Sequence, residues 1–172
     1  MSESSTPPGD LNGRETPRDA GSWAKGRNVL AGDLAAGFPL RLAVKDAKLD
    51  LSSSARVIAE TGLAYYAGDD AFTLPLLSVG GVGVVGTSTH FSGTLTKQLI
   101  EAYLRGDVAE ALALHQQLLP IYTGIFRTQG VILVKAGLAL QGRPAGPVRL
   151  PIVEATEHEI SHLRQDLAAA GL

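Results

Sequence analysis

The sequence predicts an α/β fold in which three strand–helix units are followed by three further helices. Short apolar runs lie at 40–45, 63–67 and 82–86, and such runs, bounded by polar residues, are typical of buried parallel strands. A segment with helical spacing follows each run, as in strand–helix–strand units. The segment 107–172 shows only helical patterns.

Composition limits the kinds of protein to which the chain can belong. Its 172 residues are 45% hydrophobic, enough for one domain with a core. A formal net charge of −2 gives no support for a nucleic acid or an anionic membrane as partner. The chain has no cysteine, no apolar run of membrane-spanning length and no secretory leader pattern. We therefore expect a soluble cytoplasmic protein that needs neither metal nor cofactor.

The first strand ends in a lysine that is a candidate nucleophile. Lys45 follows the apolar run at 40–45, and a strand's C-terminal end lies where α/β enzymes keep their chemistry. An amine against apolar walls loses hydration, stays neutral more readily and can attack a carbonyl group to form a Schiff base. The alternative is a solvated lysine or one paired with Asp46, which this stretch alone favours because surface ion pairs are common.

The helical segments are defined by apolar spacing and by capping residues. Asp50 or Ser52 caps the first helix and Gly62 ends it, while Thr156 and Glu159 form a capping box for the last. The predicted helices lie at 53–61, 71–79, 94–105, 107–126, 131–140 and 156–171.

Two short motifs resemble ligand sites, but their positions favour structural roles. Asp69 and Asp70 lack further metal ligands, and at the start of a helix both are expected to cap backbone N–H groups. The glycines at 80–83 lie before and within a strand rather than between a strand and a helix. They therefore predict tight packing and not a dinucleotide site.

Two other titratable side chains are candidates for a catalytic role. His90 lies in a predicted polar loop at 87–90, and a lone loop histidine is more often solvated or capping than catalytic. Lys135 competes with Lys45 for the Schiff-base role. It lies inside a helical pattern beyond the last strand, so we interpret it as a helix-surface or interface lysine.

Five blocks of sequence resemble the C-terminal half of the dihydrodipicolinate synthase family, also called 4-hydroxy-tetrahydrodipicolinate synthase. That family belongs to the pyruvate-dependent class I aldolase superfamily. The blocks occur in the family's order and at similar spacing over about three quarters of the chain, starting near residue 40. They read VKDAK, TGLAYYAGDDAF, LLSVGGVGVVGTS, GVILVKAGLALQG and VRLPIVEAT.

The resemblance implies a partial (β/α)₈ TIM barrel. Residues 40–106 would form barrel units six to eight, and residues 107–172 would form a C-terminal helical extension. A whole barrel typically takes about 250 residues, so part of it would be missing. Residues 1–39 are rich in Ser, Pro, Gly and charge, predict disorder and do not resemble the family. A truncated or frame-shifted gene is favoured over a replaced N-terminus.

The resemblance also implies an activity and its residues. Lys45 matches the lysine that forms the Schiff base with pyruvate, and Val85 matches an apolar side chain that packs against the bound pyruvate. The reaction would condense pyruvate with aspartate-semialdehyde on the diaminopimelate route to lysine. The family is homo-oligomeric, so this fragment could also associate with itself.

The catalytic tyrosine of the family has no counterpart here. In the family a Tyr-x-x-Pro-x-Arg block lies a little under thirty residues before the lysine, but Tyr65 is the first tyrosine of this chain. One alternative is therefore a catalytically inactive half-barrel remnant, or one that pairs with a copy of itself or with an intact paralogue. Another is a sister enzyme such as N-acetylneuraminate lyase or a 2-keto-3-deoxy sugar-acid aldolase.

Overall fold

The structure is a computed structural model that describes residues 43–172. The predictions for residues 1–39, and the first three residues of the predicted strand 40–45, lie outside the described part. The elements in chain order are β1 (Ala43–Asp46), α1 (Leu51–Thr61), β2 (Ala64–Ala67), a 3₁₀ turn (Asp70–Phe72), α2 (Thr73–Leu77), β3 (Gly83–Val84), α3 (Thr89–Leu104), α4 (Val108–Gly124), α5 (Gly130–Leu140) and α6 (Glu157–Ala170).

The three strands form a parallel sheet in the order β1–β2–β3. This confirms the α/β class and the parallel strands predicted from the three apolar runs. The third strand is shorter than the predicted 82–86. Its pairing continues beyond Gly83–Val84, because the Val82 amide donates to the Tyr65 carbonyl and the Val85 amide to the Ala67 carbonyl, both at 2.8 Å.

The capping residues predicted for the two ends of α1 and for the start of α6 are confirmed. Asp50 accepts from the Ser53 amide at 3.0 Å and caps α1. Gly62 ends that helix with a φ of 66°, in the left-handed region that glycine adopts without a steric penalty. Thr156 and Glu159 form the predicted capping box of α6.

Two helix predictions are wrong in detail. The single helix at 71–79 is a 3₁₀ turn followed by the short α2, which ends because Gly80, at a φ of 101°, turns the chain back. Helix α3 begins at Thr89 and not at 94, since the Ser88 carbonyl accepts the Ser92 amide at 3.0 Å. Thr89 and His90 therefore belong to a helix rather than to a loop.

The core has two parts, and helices cover one face of the sheet. Helices α1 and α2 pack on the sheet around a cluster of five buried residues, Val57, Leu63, Tyr65, Ala67 and Leu76. A second cluster, which includes Leu118, Ile121 and Leu163, joins α4, α5 and α6. Within residues 43–172, no helix has both the length and the apolar content needed to cross a membrane.

Candidate active site

The sheet presents Lys45 on the face opposite its helices. Successive side chains of a strand alternate between faces. Asp46 and Tyr65 are 7% and 3% exposed and lie on the helix side, whereas the side chain of Lys45 is exposed. Lys45 pairs in register with Tyr66, and Tyr66 pairs with Gly83. These three residues form one row across the sheet, on the face that we call the open face.

Val85 faces the same side, near the same edge. It lies two residues beyond Gly83, so alternation directs its side chain to the open face, where it is 48% exposed. The carboxyl ends of the three parallel strands meet at this edge. The arrangement places the amine of Lys45 in β1 and the apolar side chain of Val85, just after β3, on one surface.

Tyr66 is a residue of this face that sequence reasoning did not single out. A Cβ on Gly83 would lie 3.2 Å from Cδ1 and Cε1 of Tyr66, so the ring lies against the glycine. The half-buried ring thus lies between the strands that carry Lys45 and Val85. Strand alternation allows only one tyrosine of the Tyr65–Tyr66 pair to face Lys45, and the register identifies which one.

Asp46 fixes the end of β1 without pairing with Lys45. Its carboxylate accepts the Lys48 amide at 2.8 Å and the Ser54 hydroxyl of α1, and its carbonyl accepts the Gly68 amide at 2.8 Å. These bonds hold the strand end to the helix side. Lys45 and the Asp46 carboxylate consequently lie on opposite faces of the sheet.

The two adjacent aspartates have different roles. Asp69 accepts the Ala71 amide at 2.9 Å and caps the 3₁₀ turn, as predicted. The capping prediction is wrong for Asp70, whose buried carboxylate instead accepts hydrogen bonds from Thr87 and Ser88 after β3. Residues 43–172 contain no group of three or more His, Cys, Asp or Glu side chains that could hold a metal ion.

The glycines at 80–83 pack tightly. A Cβ on Gly81 would lie 2.6 Å from Cγ of Leu76 and 2.8 Å from its carbonyl oxygen. Only a residue without a side chain fits there, which agrees with the packing interpretation.

Neither competing side chain lies on the open face. Nζ of Lys135 donates to the carbonyls of Pro147, Ala145 and Gly146 at 2.7, 3.1 and 3.3 Å, so this lysine holds the loop after α5. Nδ1 of His90 lies 2.9 Å from the Thr87 carbonyl in the first turn of α3, so the ring makes a local contact with the backbone.

Two buried tyrosines retain their protons at neutral pH. Burial, together with the charge of Asp46, raises the pKa of Tyr65 on the helix side of the sheet. Burial raises the pKa of Tyr122 in α4 to about 12, although a hydrogen bond with Thr96 acts in the opposite direction. Tyr65 lies on the helix side of the sheet and not on the open face.

An open groove of about 550 Å³ borders the site at the free edge of β3. Among the described strands, β3 is paired only with β2. The groove is lined by Val84, Val85 and Gly86 on one side and by Thr89, Gly93, Thr96, Lys97, Ile100 and Glu101 of α3 on the other. Unpaired strand edges of this kind are usually covered by another element.

Comparison with known proteins shows one consistent relationship. Residues 32–170 match the Dihydrodipicolinate synthetase family, so the matched segment begins within the range 1–39. A 4-hydroxy-tetrahydrodipicolinate synthase of Acidothermus cellulolyticus is 63% identical over 130 residues, which are 76% of this chain and 42% of the relative. The 4-hydroxy-tetrahydrodipicolinate synthase 2 of Streptomyces coelicolor is 50% identical over 137 residues, which are 80% and 46% of the two chains.

Solved structures agree with these relatives. The dihydrodipicolinate synthase of Cyanidioschyzon merolae, solved with lysine bound, superimposes with a TM-score of 0.80 at 38% identity. The superposition covers 84% of this chain and 50% of that one. A monomeric dihydrodipicolinate synthase variant superimposes with a TM-score of 0.79 at 27% identity over the same shares. The chain thus spans about half the length of its relatives.

Proposed function

Since the chain belongs to the dihydrodipicolinate synthetase family, we propose that it supplies the Schiff-base half of a 4-hydroxy-tetrahydrodipicolinate synthase site, with Lys45 as the residue that binds pyruvate. The position of Lys45 carries the proposal. It faces the open side of a parallel sheet, in register with Tyr66 and Gly83 and on the face of Val85. Barrel enzymes assemble their sites at the C-terminal edge of such strands.

The proposed architecture is three units of a (β/α)₈ barrel. Strands β1, β2 and β3 would be barrel strands six to eight, and α4, α5 and α6 the C-terminal extension. Two observations support this assignment: the parallel order β1–β2–β3, and the superposition of this chain on half the length of a solved synthase. The open face would then be the inner face of the barrel, and the groove beside β3 would lie where the closing strand pairs.

The chemistry starts with the neutral Lys45 amine. The amine attacks C2 of pyruvate, a C–N bond forms, and the carbonyl oxygen leaves as water to give an imine. Loss of a proton from C3 gives an enamine, whose C3 then attacks the aldehyde carbon of aspartate-semialdehyde. Val85 provides an apolar wall for pyruvate and Tyr66 lies between the two strands. The substrate pair follows from family membership.

The described residues include Tyr66 on the open face but not the Tyr-x-x-Pro-x-Arg block, whose tyrosine the family resemblance makes the proton-transfer group. Imine formation and breakdown both need an acid and a base, and Tyr65 lies on the helix side of the sheet. Lys45 and Val85 are also exposed, so water reaches both. The proposed enzyme therefore needs the remaining barrel strands, from a second polypeptide or from further sequence of the same protein.

Association is the expected behaviour of this chain. β1 and β3 are the outer strands of the described sheet, and unpaired edges favour pairing with another chain. A complementary barrel half or a second copy of the chain would cover the open face. The cytoplasmic location stays a prediction.

The test of the proposed nucleophile is reductive trapping with pyruvate and borohydride, followed by peptide mass spectrometry. Residues 43–172 contain four lysines, Lys45, Lys48, Lys97 and Lys135. We expect the reduced adduct on Lys45, rising to saturation with pyruvate concentration. Equal, non-saturating labelling of all four lysines would contradict the proposal, as would a predominant adduct on Lys135. No label on any lysine would favour an inactive remnant of the family.

A further inference from the structure

The carboxylate of Asp70 holds the turn that follows β3. Oδ2 accepts the Thr87 amide at 2.9 Å, and Oδ1 accepts the Ser88 amide at 3.2 Å and the Ser88 hydroxyl at 2.7 Å. Asp70 is 1% exposed and lies 17 and 18 residues before its partners. One buried side chain thus joins the segment after β2 to the segment after β3.

Gly86 shows how closely the carboxylate approaches the turn. A Cβ at Gly86 would overlap Oδ1 and Cγ of Asp70, so the carboxylate occupies the space of a side chain at that position. On the N-terminal side of this residue, the backbone amide of Val85 donates to the Ala67 carbonyl at 2.8 Å. Val85 is therefore held from both directions, by strand pairing before it and by Asp70 after it.

A chain of buried hydroxyl groups connects the hydrogen bonds of Asp70 to helices α3 and α4. Oγ of Ser88 lies 3.2 Å from Oγ of Ser92, which lies 3.1 Å from Oγ1 of Thr96, which lies 3.2 Å from Oη of Tyr122. Each hydroxyl has one proton to donate. Ser88 donates its proton to the Asp70 carboxylate, and Ser92 donates to the Ser88 carbonyl at 3.1 Å. The turn is thereby tied to α3 and α4.

We propose that Asp70 is a positioning residue for pyruvate, acting by fixing Gly86, Thr87 and Ser88 and so the placement of Val85. This inference rests on the proposed function. The role needs a carboxylate, because both oxygens accept from donors. The amide of asparagine has only one acceptor oxygen, so its NH₂ group would face an N–H or O–H donor of the turn. A buried donor left without a partner is costly, and the turn would move.

Asp69→Asn is the matched control for Asp70→Asn. Both variants remove one carboxylate charge at adjacent positions, but within residues 43–172 the Asp69 carboxylate bonds only inside its own turn, to the Ala71 amide. Asparagine is also a good cap, so this variant should retain its bond. A difference between the variants then reports the contact across to the turn after β3 and not the loss of charge.

Two measurements test the proposal in the purified chain. The first is amide hydrogen exchange at Thr87 and Ser88. The second is the pyruvate concentration that gives half-maximal borohydride labelling of Lys45. For Asp70→Asn we expect amide exchange to be about tenfold faster and the half-saturating pyruvate concentration to be about tenfold higher, because a hydrogen bond to a charged group is lost. Maximal labelling at saturating pyruvate should stay near wild type, and Asp69→Asn should change neither value.

The outcomes separate this inference from the proposed function. Equal exchange and equal half-saturation in the two aspartate variants would overturn the inference. If circular dichroism shows that Asp70→Asn does not fold, Ser88→Ala decides. This variant removes only the hydroxyl donor and should raise the half-saturating pyruvate concentration to a smaller extent. An unchanged half-saturating concentration would count against the inference. If wild type takes no pyruvate label, the role of Lys45 fails, and the exchange contrast alone decides whether Asp70 anchors the turn.

Discussion

Replacing Lys45 by arginine is expected to abolish the borohydride-stable pyruvate adduct. Arginine keeps the positive charge and much of the length of the side chain, but its guanidinium group stays protonated and cannot act as an amine nucleophile. Labelling at position 45 should be lost, since the amine that attacks pyruvate is the group removed. The measurement is the adduct yield per folded chain, with folding checked by circular dichroism.

Lys135→Arg is the matched control for this variant. Its amine donates to three backbone carbonyls after α5, and the donors of a guanidinium can replace these bonds. We expect the control to label like wild type. An adduct that survives in Lys45→Arg, or that disappears in Lys135→Arg, would assign the nucleophile to a different residue.

Replacing Gly86 by alanine is expected to destabilise the fold strongly. The added Cβ would overlap the Asp70 carboxylate, which is 1% exposed and bonded to three donors. Either the carboxylate leaves its donors unpaired or the turn is displaced. The combined cost of overpacking and lost hydrogen bonds is about 3 kcal/mol or more. Urea denaturation followed by circular dichroism measures the change in the free energy of unfolding.

Gly93→Ala provides the contrast within the same region. Gly93 lies inside α3, and apart from the backbone of that helix and the two neighbouring residues, a Cβ there would meet no described atom within 4 Å. Alanine should stabilise the helix by about 0.5–1 kcal/mol, because glycine loses more backbone entropy on folding. A Gly86→Ala protein as stable as wild type would show that the Asp70 contact tolerates displacement.

Features determined by near neighbours were predictable from the sequence. Asp50, Gly62 and the Thr156–Glu159 box set helix ends through contacts within four residues, so their residue types suffice. The three parallel strands follow in the same way from their apolar runs. The side chains on the open face depend on strand register, which is why Tyr66 was missed while its neighbour Tyr65 faces the core.

Asp70 illustrates what local pattern cannot predict. Next to Asp69 and before a helix it has the signature of a capping residue, but its partners are Thr87 and Ser88 on the far side of β3. The same contact fixes Ser88, whose carbonyl accepts the amides of Phe91 and Ser92 in the first turn of α3. The early start of α3 and the role of Asp70 therefore share one non-local cause.

Turnover of pyruvate and aspartate-semialdehyde is the most direct test of the claim that this chain holds an incomplete Schiff-base site. The chain is assayed alone and together with a second polypeptide, the part of the Acidothermus cellulolyticus synthase that it does not match; the matched part is 42% of that relative. Loss of a proton-transfer group typically costs about 10²–10⁴ in rate. We predict that the turnover of the chain alone is lower than that of the mixture by at least this factor. The turnover of the mixture should be lost when the chain carries Lys45→Arg. Equal, Lys45-dependent turnover by the chain alone would contradict the account.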